Sequence, residues 1–168
     1  LPNLTLQPIF ADEAIYIRWA QVMRAEPTLR FVSLSDGKTP LFMWLMIPLF
    51  KVIQDPLFAG RFLSVLTGMG TLVGVFTLSF ILFKSKKVSL IAALIYALSP
   101  FSFFFDRMAL VDSLLSMFGI WVVIFSIITA KTLRLDSALL TGFALGGALL
   151  TKSPALFFVM LLPSSIIF

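Results

Sequence analysis

The 168-residue sequence contains no cysteine and no histidine. Without cysteine the chain forms no disulfide and offers no thiol nucleophile, and without either residue it lacks the usual ligands of zinc and other transition metals. Only oxygen ligands remain, which favour magnesium, manganese or calcium at any ion site. Charge is also scarce, because 12% of the residues are charged and 60% are hydrophobic. A soluble domain has about a quarter of its residues charged, so this composition indicates an integral membrane protein.

The net charge of +5 does not indicate nucleic-acid binding, because the basic residues are dispersed among loops and form no stripe. No secretory signal pattern is present at the start, where a charged region before an apolar stretch would be needed. The sequence opens on Leu1 without an initiator methionine and stops inside a hydrophobic run at Phe168. We therefore expect these residues to be a segment of a longer polytopic membrane protein.

Long apolar runs divide the chain into two parts and predict an all-α fold, a helical membrane bundle. Residues 1–61 are expected to form a first loop, of which 1–38 lie outside the hydrocarbon, and residues 62–168 the transmembrane bundle. The first full run is 22 residues without a charge, or about 33 Å of helix at roughly 1.5 Å per residue, enough to cross the hydrocarbon. The expected spans are 62–83, 88–105, 113–130, 137–151 and a truncated 154–168.

The first loop is expected to carry two short helices. Ile15, Trp19 and Val22 recur on one stripe, which predicts an amphipathic helix over 12–24 that lies along the membrane surface. Asp12 is the expected N-cap, with Glu13 in the first turn, and on this stretch alone a capped surface helix is the simplest interpretation. The apolar run over 40–48 is too short to span, which predicts a re-entrant or interfacial helix.

Basic residues in the short loops predict the orientation. The loops 84–87 and 131–134 are the most basic, so the positive-inside rule places them in the cytoplasm. Alternation then puts residues 1–61, 106–112 and 152 on the outer face, where charges of both signs gather. These are Asp12, Glu13, Lys38, Arg61, Asp106, Arg107, Asp112 and Lys152.

A lone charge at a helix end is usually a side chain that snorkels to the interface. Charges of both signs from three separate segments point instead to a site. Carboxylates act as general bases or hold divalent ions, while lysine and arginine bind phosphate. The pattern therefore favours a substrate with a phosphate leaving group, handled at the membrane surface.

Five short motifs follow one another along the chain. They are Asp12-Glu13, then Lys38-Thr39-Pro40-Leu41 with Trp44, Gly60-Arg61-Phe62-Leu63-Ser64, Arg107-Met108-Ala109-Leu110-Val111-Asp112-Ser113, and Leu150-Thr151-Lys152-Ser153-Pro154. In this order and spacing they resemble the N-terminal half of the GT-C glycosyltransferases, in particular the protein O-mannosyltransferases and the aminoarabinose transferase of lipid A. The resemblance covers roughly residues 8–163.

The resemblance implies an enzyme that transfers a hexose or pentose from a polyprenyl or dolichyl phosphate to a protein, lipid or glycan, usually with inversion. Such reactions serve protein glycosylation and the cell envelope. The active site would lie on the non-cytoplasmic face of the plasma membrane in a prokaryote, or of the endoplasmic reticulum in a eukaryote.

The resemblance also assigns roles to residues. Asp12 would be the general base with Glu13 beside it, and Asp112 the second acid. Lys38, Arg61, Arg107 and Lys152 would hold the donor phosphate, and a divalent ion (magnesium or manganese) would lie at Asp12 and Asp112. The sequence departs from the family pattern at three positions, which bear on the sugar and the acceptor more than on the reaction. Ile15 stands where many relatives have arginine, Thr39 where the first of two prolines is common, and Ser153 where glycine is common.

Two other functions compete with the enzyme. A transporter or lipid flippase would use the outer-face charges as a gate or an ion site, and a membrane scaffold would use them only for packing. Transporters tend to carry ionisable residues at mid-span, broken helices and internal repeats. The expected spans have no charge in their interiors and the sequence shows no repeat, so the enzyme is favoured.

Overall fold

The protein is described from a computed structural model covering residues 3–167, with the side chain of residue 166 left aside. Over that range the chain is helical and contains no strand, which confirms the predicted all-α fold. The helices are α1 (Ala11–Ala25), α2 (Leu41–Leu49), α3 (Pro56–Phe83), α4 (Lys86–Leu98), α5 (Pro100–Phe105), α6 (Val111–Thr132), α7 (Leu135–Thr151) and α8 (Leu156–Leu161). Short 3-10 turns occupy Pro27–Leu29, Val32–Asp36, Ser153–Ala155 and Leu162–Ile167.

Two helical hairpins form the bundle. Helix α3 packs on α4 and α6, and α6 packs on α7. Each hairpin turns through a left-handed residue, Lys84 or Leu133, both with φ of 53°, followed by an extended residue that begins the next helix. Among the described helices, α3 and α6 are long and apolar enough to cross a membrane. Helix α7 and the segment Ser153–Ser165 are apolar but shorter.

The helix boundaries differ from the expected ones in three places. Helix α3 begins at Pro56, because the Asp55 carboxylate accepts the backbone N–H groups of Leu57 and Phe58 and so caps the helix. The prediction of one continuous helix over 88–105 is wrong. It breaks at Ser99, whose extended backbone (ψ 123°) is what a following proline requires. Instead of one continuous helix, the last apolar run contains two 3-10 turns with α8 between them.

Helix α1 buries a different face from the expected one. Its buried residues are Glu13, Tyr16, Ile17, Ala20 and Met23, whereas Ile15 is 39% exposed. The N-cap is Phe10 and not Asp12, which lies in the first turn. The apolar stripe was misleading because a charged residue, Glu13, is buried with a partner that the local sequence does not show.

The best-buried core lies at one end of the bundle. There α1, α2, the first turns of α3 and the segment before α6 pack together into what we call the cap. Three side chains of α2 are fully buried in it, namely Phe42, Met43 and Met46. Helix α4 by contrast exposes Leu90, Leu94 and Leu98, as expected of a surface that meets lipid or other apolar helices. The cap is therefore a well-packed support beside the bundle end where α6 begins and α7 ends.

Candidate active site

A cavity of about 390 Å³ lies between the cap and the adjacent ends of α6 and α7. Three separate parts of the chain line it, within residues 10–39, 105–112 and 151–154. Its charged lining residues are Asp12, Asp36, Lys38, Asp112 and Lys152. We call it the charged cavity.

Two ion pairs line this cavity. Lys152 Nζ donates a hydrogen bond of 2.7 Å to Asp112 Oδ1, and Lys38 Nζ lies 3.8 Å from Asp12 Oδ1. The Asp12 and Asp112 side chains are 47% and 36% exposed. Ion pairs this open to solvent contribute about 0–1 kcal/mol to stability, so the fold does not depend on them and they are accessible to a ligand.

Lys38 is held by an aromatic platform on α1. Its Nζ donates to the Tyr16 hydroxyl at 3.4 Å and lies 5.0 Å from the centre of the Tyr16 ring, a cation–π contact. Partial burial acts to lower the pKa of Lys38, but the Tyr16 hydroxyl and the nearby carboxylates of Asp12 and Asp36 outweigh it and raise that pKa above its usual value. Lys38 is therefore an ammonium group at neutral pH, a suitable partner for a phosphate.

Glu13 and Arg61 lie behind the cavity and pair with each other. Both side chains are 0% exposed. The guanidinium donates from Nε to Glu13 Oε1 and from Nη2 to Glu13 Oε2, each at 2.8 Å. The backbone N–H groups of Phe10 and Ala109 donate to the same carboxylate at 3.0 and 2.7 Å. Burial acts to raise the pKa of Glu13, but Arg61 and these two N–H groups outweigh it and lower that pKa, so the carboxylate stays ionised.

We call this pair the Glu13–Arg61 clamp. Arg61 also donates to the backbone carbonyl oxygens of Leu4, Gln7 and Pro8 at 2.7, 3.1 and 3.3 Å. The clamp thus joins the N-terminal segment, α1, α3 and the turn before α6. This geometry fits a structural role better than the catalytic role predicted for Glu13 or the phosphate-binding role predicted for Arg61.

Arg107 lies on the other side of the segment that leads into α6. Its Cζ is 5.1 Å from the centre of the Phe103 ring, and it lines a second cavity of about 300 Å³ together with Tyr96 and Asp106. The structure therefore brings Asp12, Lys38, Asp112 and Lys152 together, and it places Glu13, Arg61 and Arg107 elsewhere.

Several lining residues had not been identified from the sequence. The Asp36-Gly37 pair is typical of a turn, and that pattern alone does not indicate that Asp36 lines a cavity with Lys38. Tyr16 follows Asp12 by four residues, a spacing that puts both side chains on one face of a helix. This spacing is a signal in the sequence that Tyr16 lies near the site. Thr39 and Ser153 also line the cavity, and their places in the motifs beside Lys38 and Lys152 are a signal for this.

The predicted metal pair, Asp12 and Asp112, does line one cavity. Each carboxylate is already paired with a lysine, and the described residues contain no group of three or more acidic side chains that could hold a metal ion. Magnesium favours six oxygen ligands. One or two carboxylates hold this ion when waters and substrate phosphates supply the remaining ligands, so a metal ion here would need those ligands and would compete with the two lysines.

A comparison with family models identifies the class of protein. The model of the dolichyl-phosphate-mannose-protein mannosyltransferase family matches residues 37–168. The chain belongs to this family. It is a membrane glycosyltransferase of the mannosyltransferase type. The matched range includes Lys38, Asp112 and Lys152 but begins after α1, so Asp12 and Glu13 lie outside it. A search of curated proteins and a search of solved structures each gave no match.

Proposed function

We propose that the charged cavity transfers a monosaccharide from a polyprenyl or dolichyl phosphate to a hydroxyl group of a protein, lipid or glycan acceptor. One observation carries the proposal. Three carboxylates and two lysine side chains, Asp12, Asp36, Asp112, Lys38 and Lys152, come from three distant parts of the chain and converge on one accessible cavity. Family membership supports the reaction class.

Asp12 is the proposed general base. Its carboxylate is the more exposed of the two paired ones, and the lysine beside it lies 3.8 Å away and forms no tight hydrogen bond. It accepts the proton of the acceptor hydroxyl as that oxygen bonds to the anomeric carbon. The bond between the anomeric carbon and the phosphate oxygen breaks on the opposite face, and the lipid phosphate leaves with the electron pair. The configuration at the anomeric carbon is inverted.

Lys38 and Lys152 are the proposed phosphate ligands. Negative charge grows on the phosphate as it leaves, and ammonium groups already in place stabilise that charge. Asp112 holds Lys152 at 2.7 Å and so fixes where this charge stands before the donor enters. Holding donor and acceptor in one small cavity contributes further by orientation.

The proposed location is the non-cytoplasmic face of the plasma membrane in a prokaryote or of the endoplasmic reticulum in a eukaryote. The charged cavity lies at the Asp112 end of α6 and the Thr151 end of α7. The basic residues Lys131 and Arg134 lie at the opposite end of this hairpin, and the positive-inside rule favours that end for the cytoplasm. The exposed apolar face of α4 supports contact with the lipid tail of a donor.

The test uses the full-length protein in membranes with a panel of polyprenyl-phosphate and dolichyl-phosphate sugars. Consumption of donor and formation of glycosylated acceptor are measured for the wild type, Asp12→Asn and Asp136→Asn. Asp136 is a matched control because it pairs with Arg134 at the far end of the bundle, away from the cavity.

We expect the wild type and Asp136→Asn to turn over one donor at similar rates and Asp12→Asn to lose at least about 100-fold, the usual contribution of a general base. Equal rates for all three proteins would refute the role of Asp12. If no donor in a broad panel is bound or consumed, the proposed reaction is wrong and the transporter or flippase hypothesis takes its place.

A further inference from the structure

A second polar cluster lies outside the charged cavity, at the end of α5. The carboxylate of Asp106 accepts two hydroxyl hydrogen bonds, from Tyr96 on α4 at 2.8 Å and from Ser113 on α6 at 2.7 Å. We call Asp106, Tyr96 and Ser113 the Asp106 cluster. Its members come from three successive helices, so the carboxylate connects α4 to the start of α6.

Helix α3 closes the cluster from a further side. Asp106 lies against Gly68 of α3 so tightly that a β-carbon added at Gly68 would be 2.6 Å from the Asp106 carboxyl carbon. Only glycine at this position allows such an approach. A carboxylate inserted among three apolar helices is costly unless its oxygens are hydrogen-bonded, and here each oxygen accepts one hydroxyl. The hydrogen bonds from Tyr96 and Ser113 and the space left by Gly68 therefore hold the Asp106 carboxylate in one place.

The cluster connects directly to the charged cavity through Ser113. This residue follows Asp112 in the first turn of α6 and is 1% exposed, whereas Asp112 faces the cavity. Ser113 Oγ also lies 3.1 Å from the Phe105 carbonyl oxygen, a second acceptor on α5. Successive helical residues differ by about 100° in direction, at 3.6 residues per turn. Fixing the direction of Ser113 therefore fixes the direction of Asp112.

The geometry points to Asp106 as a positioning residue. We propose that Asp106, acting through Ser113, holds the first turn of α6 so that Asp112 and its partner Lys152 stand correctly in the charged cavity. The turn before α6 then has two anchors, because Glu13 binds the Ala109 backbone N–H at 2.7 Å from the other side. The effect on turnover rests on the proposed function, whereas the effect on the Asp112–Lys152 pair does not.

The absence of cysteine from these 168 residues allows a test that needs no substrate. Ser153→Cys places one reporter thiol on the cavity wall beside Lys152, in full-length protein whose other cysteines, if any, are replaced by serine. A nearby ammonium group lowers the pKa of a thiol, and the pH dependence of its maleimide reaction gives that pKa. Asp112→Asn in this background frees Lys152 and gives the reference shift towards lower pKa.

We expect Asp106→Ala to lower the reporter pKa by at least half of the reference shift, because the loosened turn separates Asp112 from Lys152. Ser113→Ala should give a similar change. Tyr96→Phe should give a smaller one, since it leaves the Ser113 contact in place, and Asp106→Asn should restore part of the wild-type value because its amide keeps one acceptor oxygen. Asp136→Asn, at the far end of the bundle, should change nothing.

A reporter pKa that is the same in Asp106→Ala and in the unsubstituted background overturns the proposal, whatever the effect on stability. If Asp106→Ala does not fold, Ser113→Ala and Asp106→Asn are measured in its place. The proposal is then overturned if the reporter pKa is unchanged in both of these variants. Turnover is measured in parallel, where we expect about a tenfold lower kcat with a smaller change in donor KM. Reporter shifts without any detectable turnover would support the positioning role and refute the proposed function, so the two failures are distinguishable.

Discussion

Asp12 and Glu13 are adjacent acidic residues on one turn of α1, yet the structure treats them in opposite ways. Glu13 is 0% exposed and accepts four N–H hydrogen bonds, two of them from Arg61. Asp12 faces the charged cavity with Lys38 nearby at 3.8 Å. A carboxylate has about four acceptor sites, and the four hydrogen bonds to Glu13 fill them, which suits a structural role. Asp12 is available to a ligand.

The same contrast separates the two kinds of ion pair. Removing one partner of a buried pair leaves an uncompensated charge, which costs about 3–5 kcal/mol. Removing one partner of an exposed pair costs about 1 kcal/mol or less. Substitutions in the Glu13–Arg61 clamp should therefore act mainly on stability, and those in the charged cavity mainly on turnover.

The largest expected effect is that of Arg61→Ala. It leaves the Glu13 carboxylate buried without its guanidinium and removes the donors to Leu4, Gln7 and Pro8. We expect the free energy of unfolding to fall by about 3 kcal/mol or more, measured by chemical or thermal unfolding of the full-length protein in detergent. Arg134→Ala is the matched control, because Arg134 belongs to an exposed pair. Equal destabilisation by the two substitutions would remove the distinction between buried and exposed pairs.

Asp12→Asn should have the opposite effect, a large loss of turnover with little loss of stability. The substitution keeps the shape of the side chain but removes the proposed base, so turnover should fall at least about 100-fold while the free energy of unfolding changes by less than about 1 kcal/mol. Steady-state turnover and unfolding are measured on the same preparation. A loss of stability as large as that of Arg61→Ala would show that Asp12 is structural as well.

Lys152→Gln should reduce the affinity for the donor more than it reduces stability. It removes one of the two proposed phosphate ligands and leaves Asp112, whose side chain is 36% exposed, without its lysine partner, so donor KM should rise about tenfold with a smaller fall in kcat. Lys152→Arg should retain part of the affinity. Lys51→Gln is the control, since Lys51 is exposed and lies outside the charged cavity. An unchanged KM for Lys152→Gln would exclude Lys152 from phosphate binding.

Acid should destabilise the protein partly through Glu13. The pKa of this carboxyl is lowered in the folded state from a reference of 4.5, so its contribution to stability is present above that reference. The contribution is lost as the pH falls below 4.5 and through the folded-state pKa. We expect the unfolding midpoint to stay nearly constant from pH 7 to about pH 5 and then to fall. Glu13→Gln should be less stable at pH 7 and should show a flatter profile below pH 5; a parallel profile would contradict this assignment.

The smallest expected effect is that of a chelator. The sequence predicts a divalent ion at Asp12 and Asp112, but both carboxylates are paired with lysines, which already supply positive charge for the phosphate. We expect EDTA to change turnover by less than about twofold. Removal of a catalytic metal would have a far larger effect, because such a metal supplies several kcal/mol of charge stabilisation in the transition state. Activity lost with EDTA and restored by magnesium or manganese would favour the metal prediction instead.

Local patterns were sufficient for the class of fold and for part of the site. Hydropathy alone indicates a helical membrane protein, because the hydrocarbon requires long uncharged helices. The alternation of basic loops was enough to predict that residues near Asp12, Asp112 and Lys152 share one face, and these residues do line one cavity. Pro100 also marks the break between α4 and α5, a signal that the interpretation of 88–105 as one helix overlooked.

Only the tertiary structure decided which charges belong to the cavity. Glu13 meets Arg61 across 48 residues of sequence and Ala109 across 96, and such distant partners leave no mark on a local pattern. Arg107 and Asp112 stand five residues apart, but the turn before α6 directs them into different cavities. Burial and hydrogen-bond partners depend on which elements pack together. The sequence by itself therefore determined the residue types on one face, and the packing of the cap determined which of them are buried and which line the charged cavity.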